Sequence, residues 1–129
     1  MDENRKQRYF SLGEANAIIT AVRPLIAEMM DIRKLIIEKQ PDIWPVVSKA
    51  AGNGGSKKAS EIVYDFSRLD ELVKEINATG AILKDVNKGL IDFLSTREGR
   101  DIYLCWKYGE VQIGYWHEID EGYAGRHAI

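Results

Sequence analysis

Apolar residues recur at helical spacing over the first third of the chain. From Leu12 onward they fall three and four positions apart, and charged residues fill most of the positions between them. Ser11 and Glu14 form a capping-box pair at the start of this pattern, and Phe10 precedes the cap. The spacing therefore predicts a long helix over Leu12–Gln40.

Further helical segments follow. Pro24 interrupts the first apolar stripe without shifting its phase, which predicts one kinked helix rather than two. A short segment over Asp42–Ala51 precedes the glycine-rich loop Gly52–Ser56, and a second apolar stripe runs over Ala59–Ile76. Gly80 is the predicted C-cap. Two one-sided helices separated by a loop indicate a helical hairpin.

Beyond Gly80 the apolar period falls to two, which is typical of strands. The predicted strands are Ala81–Asp85, Leu90–Leu94, Asp101–Lys107 and Gln112–Ile119. Helices followed by strands indicate an α+β fold, a long kinked helical hairpin followed by a small antiparallel β-sheet meander. We expect one domain over residues 1–129, with a helical arm at about 11–79 and a β-sheet region at about 80–126.

The last two predicted strands suggest a hairpin. We expect Gly109-Glu110 to form a two-residue turn, with glycine first as a type II′ turn requires. Three cross-strand pairs would then share one face of the sheet: Trp106 with Ile113, Leu104 with Tyr115, and Ile102 with His117. The opposite face would carry Tyr103, Cys105, Gly114 and Trp116.

Composition narrows the classes of partner. The chain has 129 residues and a formal net charge of −2, which argues against a general polyanion binder because phosphate contacts need clustered Lys and Arg. Cys105 is the only cysteine, so a reducing compartment is expected. No stretch reaches the roughly 18 apolar residues of a membrane span, and the N-terminus is charged. We expect a cytoplasmic protein with neither nucleic-acid nor membrane partners.

Polar and aromatic residues of the β-sheet region are candidates for lining a ligand pocket: Asp85, Asp92, Arg100, Trp106, His117, Glu118 and Arg126. A metal site would combine His117 with Asp120 or Glu121 and with Asp92 or Asp85. No second His or Cys lies nearby at ligand spacing, which favours a hydrogen-bonded histidine at the edge of the core.

Two further hypotheses concern Asp92 and Cys105. Asp92 lies in an apolar run, so it needs a partner. A strand-edge or turn-anchoring role is favoured over a poised carboxylate, and the candidate partners are Arg97, Arg100, Arg126 and Lys84. Cys105 would need a base to act as a nucleophile, and the predicted register places His117 on the other face. We therefore predict that Cys105 is a buried cysteine with a packing role. We predict neither a metal nor a cofactor.

A series of motifs in the C-terminal half carries a family resemblance. The motifs are Lys84-Asp85, Gly89-Leu90-Ile91-Asp92-Phe93, Gly99-Arg100, Leu104–Glu110, Trp116-His117-Glu118 and Gly122–Arg126. With the opening Arg8–Leu12 and with Arg23-Pro24-Leu25, the chain resembles the small bacterial and archaeal proteins of domain-of-unknown-function family 2203. Leu94 and His127-Ala128 depart from the family pattern. Because the family is uncharacterised, the resemblance implies no activity, substrate or cofactor.

Two functional hypotheses follow from the residues. The first is a non-enzymatic, homo-oligomeric structural or interaction domain, because the long helix and one sheet face carry apolar surface that needs a cover. That cover would be the C-terminal tail, a second subunit or a ligand, and a homodimer or higher homo-oligomer is expected. The alternative is a small-molecule or metal-binding enzyme with a polar site at the sheet–helix junction.

Overall fold

The computed structural model describes residues 8–39, 44–51 and 63–129. Its helices are α1 (Leu12–Lys39), α2 (Trp44–Ala51) and α3 (Val63–Ala78). Its strands are β1 (Ile82–Asp85), β2 (Leu90–Arg97), β3 (Arg100–Lys107), β4 (Tyr115–Glu118) and β5 (His127–Ala128). The strands form one antiparallel sheet in the order β1-β2-β3-β4-β5. The predicted α+β architecture is confirmed.

The capping box fixes the start of α1. The Ser11 amide donates to the Glu14 carboxylate at 2.8 Å, and the Glu14 amide donates to the Ser11 hydroxyl at 3.1 Å. Phe10 is buried and meets Phe93 edge to face, with ring centroids 5.3 Å apart. The Phe10 amide also donates to the Leu94 carbonyl at 2.8 Å. Phe10 therefore attaches the chain just before α1 to β2.

The helices pack along their apolar sides. α1 continues as a helix through Pro24, as predicted, and α3 packs against it. The guanidinium of Arg68 on α3 binds the Glu28 carboxylate of α1 through two contacts of 2.7 and 2.8 Å. No helix in the described ranges is long and apolar enough to cross a membrane. The predicted loop Gly52–Ser56 and the first residues of the second stripe lie outside the described residues.

Strands β2 and β3 form a regular hairpin. Glu98 and Gly99 connect them with φ angles of 53° and 79°, as a two-residue type I′ turn requires. Phe93 pairs with Leu104, and the ladder continues to Arg97. The predicted end of this strand at Leu94 is therefore three residues too early.

The predicted pairing of β3 with β4 is wrong by one residue. Tyr103 pairs with His117 and Leu104 with Trp116. Gly109-Glu110 does not close a two-residue hairpin, because the chain first makes a tight turn, in which the Glu110 amide donates to the Lys107 carbonyl at 3.0 Å. The Ile113 amide then donates to Asn16 of α1, so β4 begins only at Tyr115.

This register determines which residues lie on each face of the sheet. The helix-facing side contributes six residues to the hydrophobic core: Ile91, Phe93, Ile102, Leu104, Trp106 and Trp116. Trp106 and Trp116 thus share a face, contrary to the prediction. We call the opposite side the outer face. The segment after β4 lies over part of it, since the Arg126 guanidinium lies 3.9 Å from the Tyr115 ring centroid and 4.7 Å from that of Tyr123.

Gly89 is held at a close approach between the sheet and α1. Its φ is +64°, and an added Cβ would lie 2.7 Å from Tyr108 Cβ and 3.2 Å from Ile26 Cγ2. We expect Gly89→Ala to lower the free energy of unfolding by about 2–4 kcal/mol, because backbone strain and overpacking combine. Urea denaturation of the purified variant measures this difference.

Two other glycines distinguish the contribution of backbone strain from that of overpacking. Gly99 has a φ of +79° but open space around its Cα, so Gly99→Ala should cost about 1–2 kcal/mol from strain alone. Gly114 has neither constraint, and Gly114→Ala should stay within about 0.5 kcal/mol of the wild type. A cost at Gly89 no larger than that at Gly99 would contradict the close approach.

Candidate functional site

Three buried polar side chains meet on the outer face. Asp92 of β2 pairs directly with Cys105 of β3, and His117 of β4 lies beside them on the neighbouring strand. One carboxylate oxygen, the thiol sulfur and one ring nitrogen all lie within 4.8 Å of one another. The exposed fractions of the three residues are 1%, 0% and 2%. We call this group the Asp–Cys–His cluster.

Strand alternation explains why the cluster lies on the outer face of the sheet. Each member is adjacent in sequence to a core residue on the helix-facing side. Asp92 lies between Ile91 and Phe93, Cys105 lies between Leu104 and Trp106, and His117 follows Trp116. Because burying these apolar neighbours turns them toward the helices, the three polar side chains project to the outer face.

The hydrogen bonds of His117 define its protonation. Nδ1 lies 2.8 Å from the Glu118 carbonyl oxygen, which can only accept, so Nδ1 carries a proton. Nε2 lies 3.0 Å from Asp92 Oδ2. A proton must lie between these two atoms, because a bare imidazole lone pair and a carboxylate oxygen repel each other. The pair therefore holds one shared proton in a buried contact.

Burial also controls the acidity of the other members. Removal from water raises the pKa of the Asp92 carboxyl, and the positive charge of His117 opposes that rise. Burial, followed by the Asp92 charge, raises the pKa of the Cys105 thiol to about 12. Near neutral pH Cys105 is thus a protonated thiol. His117 directs Nε2 toward Asp92, so the cluster does not have the arrangement of a Cys–His nucleophile.

Unpaired polar atoms border the cluster. Asp92 Oδ1 and Arg126 Nε are buried with no hydrogen-bond partner. The same Arg126 guanidinium is neutralised elsewhere, since Nη2 donates to the Glu110 carboxylate at 2.6 Å. A buried carboxylate oxygen without a donor costs free energy unless a ligand binds it. Asp92 Oδ1 is therefore available for a positively charged group.

The seven predicted pocket residues do not converge on one site. Asp92 and His117 are in contact, and Arg126 lies close enough for its charge to act on the Cys105 thiol. Arg100 binds Glu118 through contacts of 3.0 and 2.5 Å in a separate ion pair. The candidates thus divide between the cluster and other structural roles.

The remaining two candidates serve the fold. Trp106 lies in the core on the helix-facing side and donates from Nε1 to the Glu110 carbonyl at 3.0 Å. Asp85 caps a turn, because its Oδ1 accepts from the amides of Asn87 and Lys88 at 2.8 and 3.2 Å. Neither side chain faces the cluster.

Sequence reasoning missed Cys105 as a partner of Asp92 and His117. The predicted separation of Cys105 from His117 is wrong because of the one-residue error in the β3–β4 register. One signal in the sequence was available: a two-residue turn at Glu98-Gly99 places Asp92 directly opposite Cys105.

Comparison with known proteins identifies the family. The family model described as "Uncharacterized conserved protein (DUF2203)" matches residues 8–129. The chain belongs to this family, as the sequence motifs suggested. No significant match was found among curated proteins or among solved structures.

The Cys105 thiol should resist alkylation in the folded protein. At pH 8 only about one thiol in ten thousand is ionised, because the pKa is about 12, and the side chain is buried. We expect slow reaction with iodoacetamide in buffer and rapid reaction in urea, followed by mass spectrometry. Equal rates in the two conditions would contradict the buried thiol.

The two histidines provide a matched test of the buried pair. His117→Ala leaves the Asp92 carboxylate buried without its partner, and we expect it to cost about 3–5 kcal/mol of unfolding free energy. His127 is half-exposed, pairs with Glu121 and lies with its ring centroid 4.6 Å from that of Trp116, so His127→Ala should cost only about 1 kcal/mol. Denaturation with a chelator present measures both variants, and similar costs would argue against the pair.

Proposed function

We propose that this DUF2203 protein is a metal-binding domain whose Asp–Cys–His cluster holds a divalent transition-metal ion, with Zn²⁺ the best chemical match. The observation that carries this proposal is the meeting of a carboxylate, a thiol and an imidazole within 4.8 Å on three neighbouring strands. Cysteine and histidine are ligands that Zn²⁺ prefers, and carboxylates also bind it. Ca²⁺ and Mg²⁺ favour sets made only of oxygen ligands.

The spacing of the ligand atoms suits a small ion. Bonds to Zn²⁺ of about 2.0–2.3 Å place neighbouring tetrahedral ligands about 3.3–3.7 Å apart. Asp92 Oδ2 and His117 Nε2 are 3.0 Å apart, and no pair within the cluster exceeds 4.8 Å. Because the three residues lie on paired strands, small side-chain rotations are sufficient to bind an ion.

The surroundings of His117 support the same proposal. A metal-bound histidine usually donates its other N–H to a carbonyl or carboxylate, and His117 Nδ1 already donates to the Glu118 carbonyl. The ion would replace the proton that Nε2 shares with Asp92. Asp92 Oδ1, which has no hydrogen-bond partner, is a further oxygen within the site.

Charge balance favours a divalent ion. An ionised Asp92, a Cys105 thiolate and a neutral His117 carry two negative charges, which one divalent cation neutralises. The neighbouring Arg126 charge is already paired with Glu110. The bound site would thus add no net charge to the outer face, which limits the cost of burial. Three protein ligands leave a fourth position for water or another small ligand.

Metal titration tests the proposal. We expect calorimetry to show one Zn²⁺ bound per chain with a dissociation constant of about 1 µM or lower. Cys105→Ser and His117→Gln should each weaken binding at least about a hundredfold, because each removes a ligand. His127→Gln is the matched control and should bind as the wild type does. Undiminished binding in both ligand variants would contradict the site.

Cobalt and pH provide a second readout. Co²⁺ bound to the cluster should show a thiolate charge-transfer band in the near ultraviolet that Cys105→Ser abolishes. Binding displaces about two protons, the shared Asp92–His117 proton and the Cys105 proton, so affinity should fall as pH falls. A Co²⁺ spectrum identical in the wild type and Cys105→Ser would be incompatible with thiolate ligation.

A homo-oligomer stays a prediction for this chain. Both apolar surfaces that suggested it are partly covered within one chain, since α1 packs in the core and the C-terminal segment lies over part of the outer face. Leu35 remains exposed on α1 and Val111 in the loop before β4. Sedimentation at micromolar concentration distinguishes a dimer from a monomer of 14.6 kDa.

A further inference from the structure

A second concave site lies on the helix-facing side of the sheet, opposite the Asp–Cys–His cluster. It is a cleft of about 490 Å³ between the start of α1 and the ends of β2, β3 and β4. Its apolar walls include Phe10, Leu12, Ile102 and Leu104. This volume falls within the range of pockets that hold small organic ligands, about 300–1,000 Å³.

One residue that lines the cleft, Trp116, has a buried hydrogen-bond donor without a partner. Trp116 is 8% exposed, and its indole Nε1–H has no hydrogen-bond partner. Indole nitrogen can only donate, so the group needs an acceptor to recover the free energy that burial costs. An oxygen atom of a bound ligand would supply that acceptor.

An unneutralised positive charge lies beside the same ring. Arg97 lines the cleft, and its guanidinium is 4.6 Å from the Trp116 ring centroid. Arg97 is directly opposite Arg100 in the β2–β3 ladder. Like charges in this position repel each other. Carboxylates neutralise only one of the two, because Arg100 binds Glu118 and lies 3.7 Å from Glu98.

Arg97 makes no ion pair with any carboxylate in the described ranges, and no acidic side chain lines the cleft there. The polar character of the cleft therefore combines one cation, one orphan donor and the hydroxyl groups of a few neutral side chains. Such a set favours an anion, and the apolar walls favour a hydrocarbon body attached to it. A single cation matches a monocarboxylate better than a phosphate, which usually recruits several cations or the free amides of a helix N-terminus. The start of α1 borders the cleft, but its capping box already engages the Ser11 and Glu14 amides.

We infer that the cleft between Arg97, Trp116 and the start of α1 binds a small organic monocarboxylate with an apolar body. The carboxylate accepts from the Arg97 guanidinium and the Trp116 indole N–H, and the hydrocarbon part packs on the apolar walls. This site does not depend on the proposed metal site, because the two lie on opposite faces of the sheet.

Hexanoate is a suitable probe, with hexanamide as its neutral counterpart and acetate as the anion without an apolar body. We would titrate each into the full chain, with a chelator present, and follow backbone amide shifts by NMR. Saturable binding of hexanoate should shift residues around the cleft, while hexanamide and acetate bind at least about tenfold more weakly.

Two variants and one control complete the test. Arg97→Gln, at an exposed position, should weaken hexanoate binding about tenfold or more, and Trp116→Phe should weaken it while preserving the apolar wall. Arg23→Gln is the matched control, because Arg23 also lies over a tryptophan, Trp106, but outside the cleft. Its affinity should equal that of the wild type.

Three results would overturn the inference. They are no saturable hexanoate binding at about 10 mM, equal affinity in Arg97→Gln and the wild type, and equal affinity for hexanoate and hexanamide. Arg97→Gln decides the outcome even if Trp116→Phe destabilises the fold, since Arg97 is exposed and glutamine keeps most of its aliphatic side chain.

Discussion

The pairing of Tyr103 with His117 fixes the side of the sheet on which every residue of β4 lies. In this register Trp116 enters the core and His117 reaches Asp92. A shift of one residue would exchange the two, leaving the indole on the outer face and the imidazole among apolar side chains. Contacts outside the ladder hold the register, among them the bond from the Ile113 amide to Asn16 of α1. The helical arm thus helps to determine which polar groups meet on the far side of the sheet.

The outer face buries polar groups, and their removal from water costs free energy. Its centre holds a carboxylate, a thiol and an imidazole, which are buried instead of facing water. Burial of a carboxylate costs free energy, and its raised pKa reflects that cost. The shared proton with His117 offsets part of it, but Asp92 Oδ1 keeps no partner. A fold that only needed stability would be better served by apolar residues at these positions. This cost supports a ligand-binding role for the cluster.

Local signals in the sequence were sufficient for the architecture. The capping box at Ser11 and the apolar stripe of α1 depend on neighbours within a few residues, so the long helix and its start were predicted correctly. The change of period after Gly80 likewise located the sheet, and the family motifs were recognised correctly. The candidate site was harder to predict from the sequence. The β3–β4 loop is shaped by the bond from Trp106 Nε1 to the Glu110 carbonyl and by the distant Asn16, which periodicity does not reveal.

The protonation of His117 is the most direct test of this account. Nitrogen-15 NMR of the two imidazole nitrogens reports which of them carries a proton and which binds a metal. The account predicts a protonated Nδ1 at all times and a change at Nε2 alone when Zn²⁺ is added, because the ion takes the place of the shared proton. Unchanged His117 nitrogens on addition of Zn²⁺, with changes confined to the surface residue His127, would contradict it.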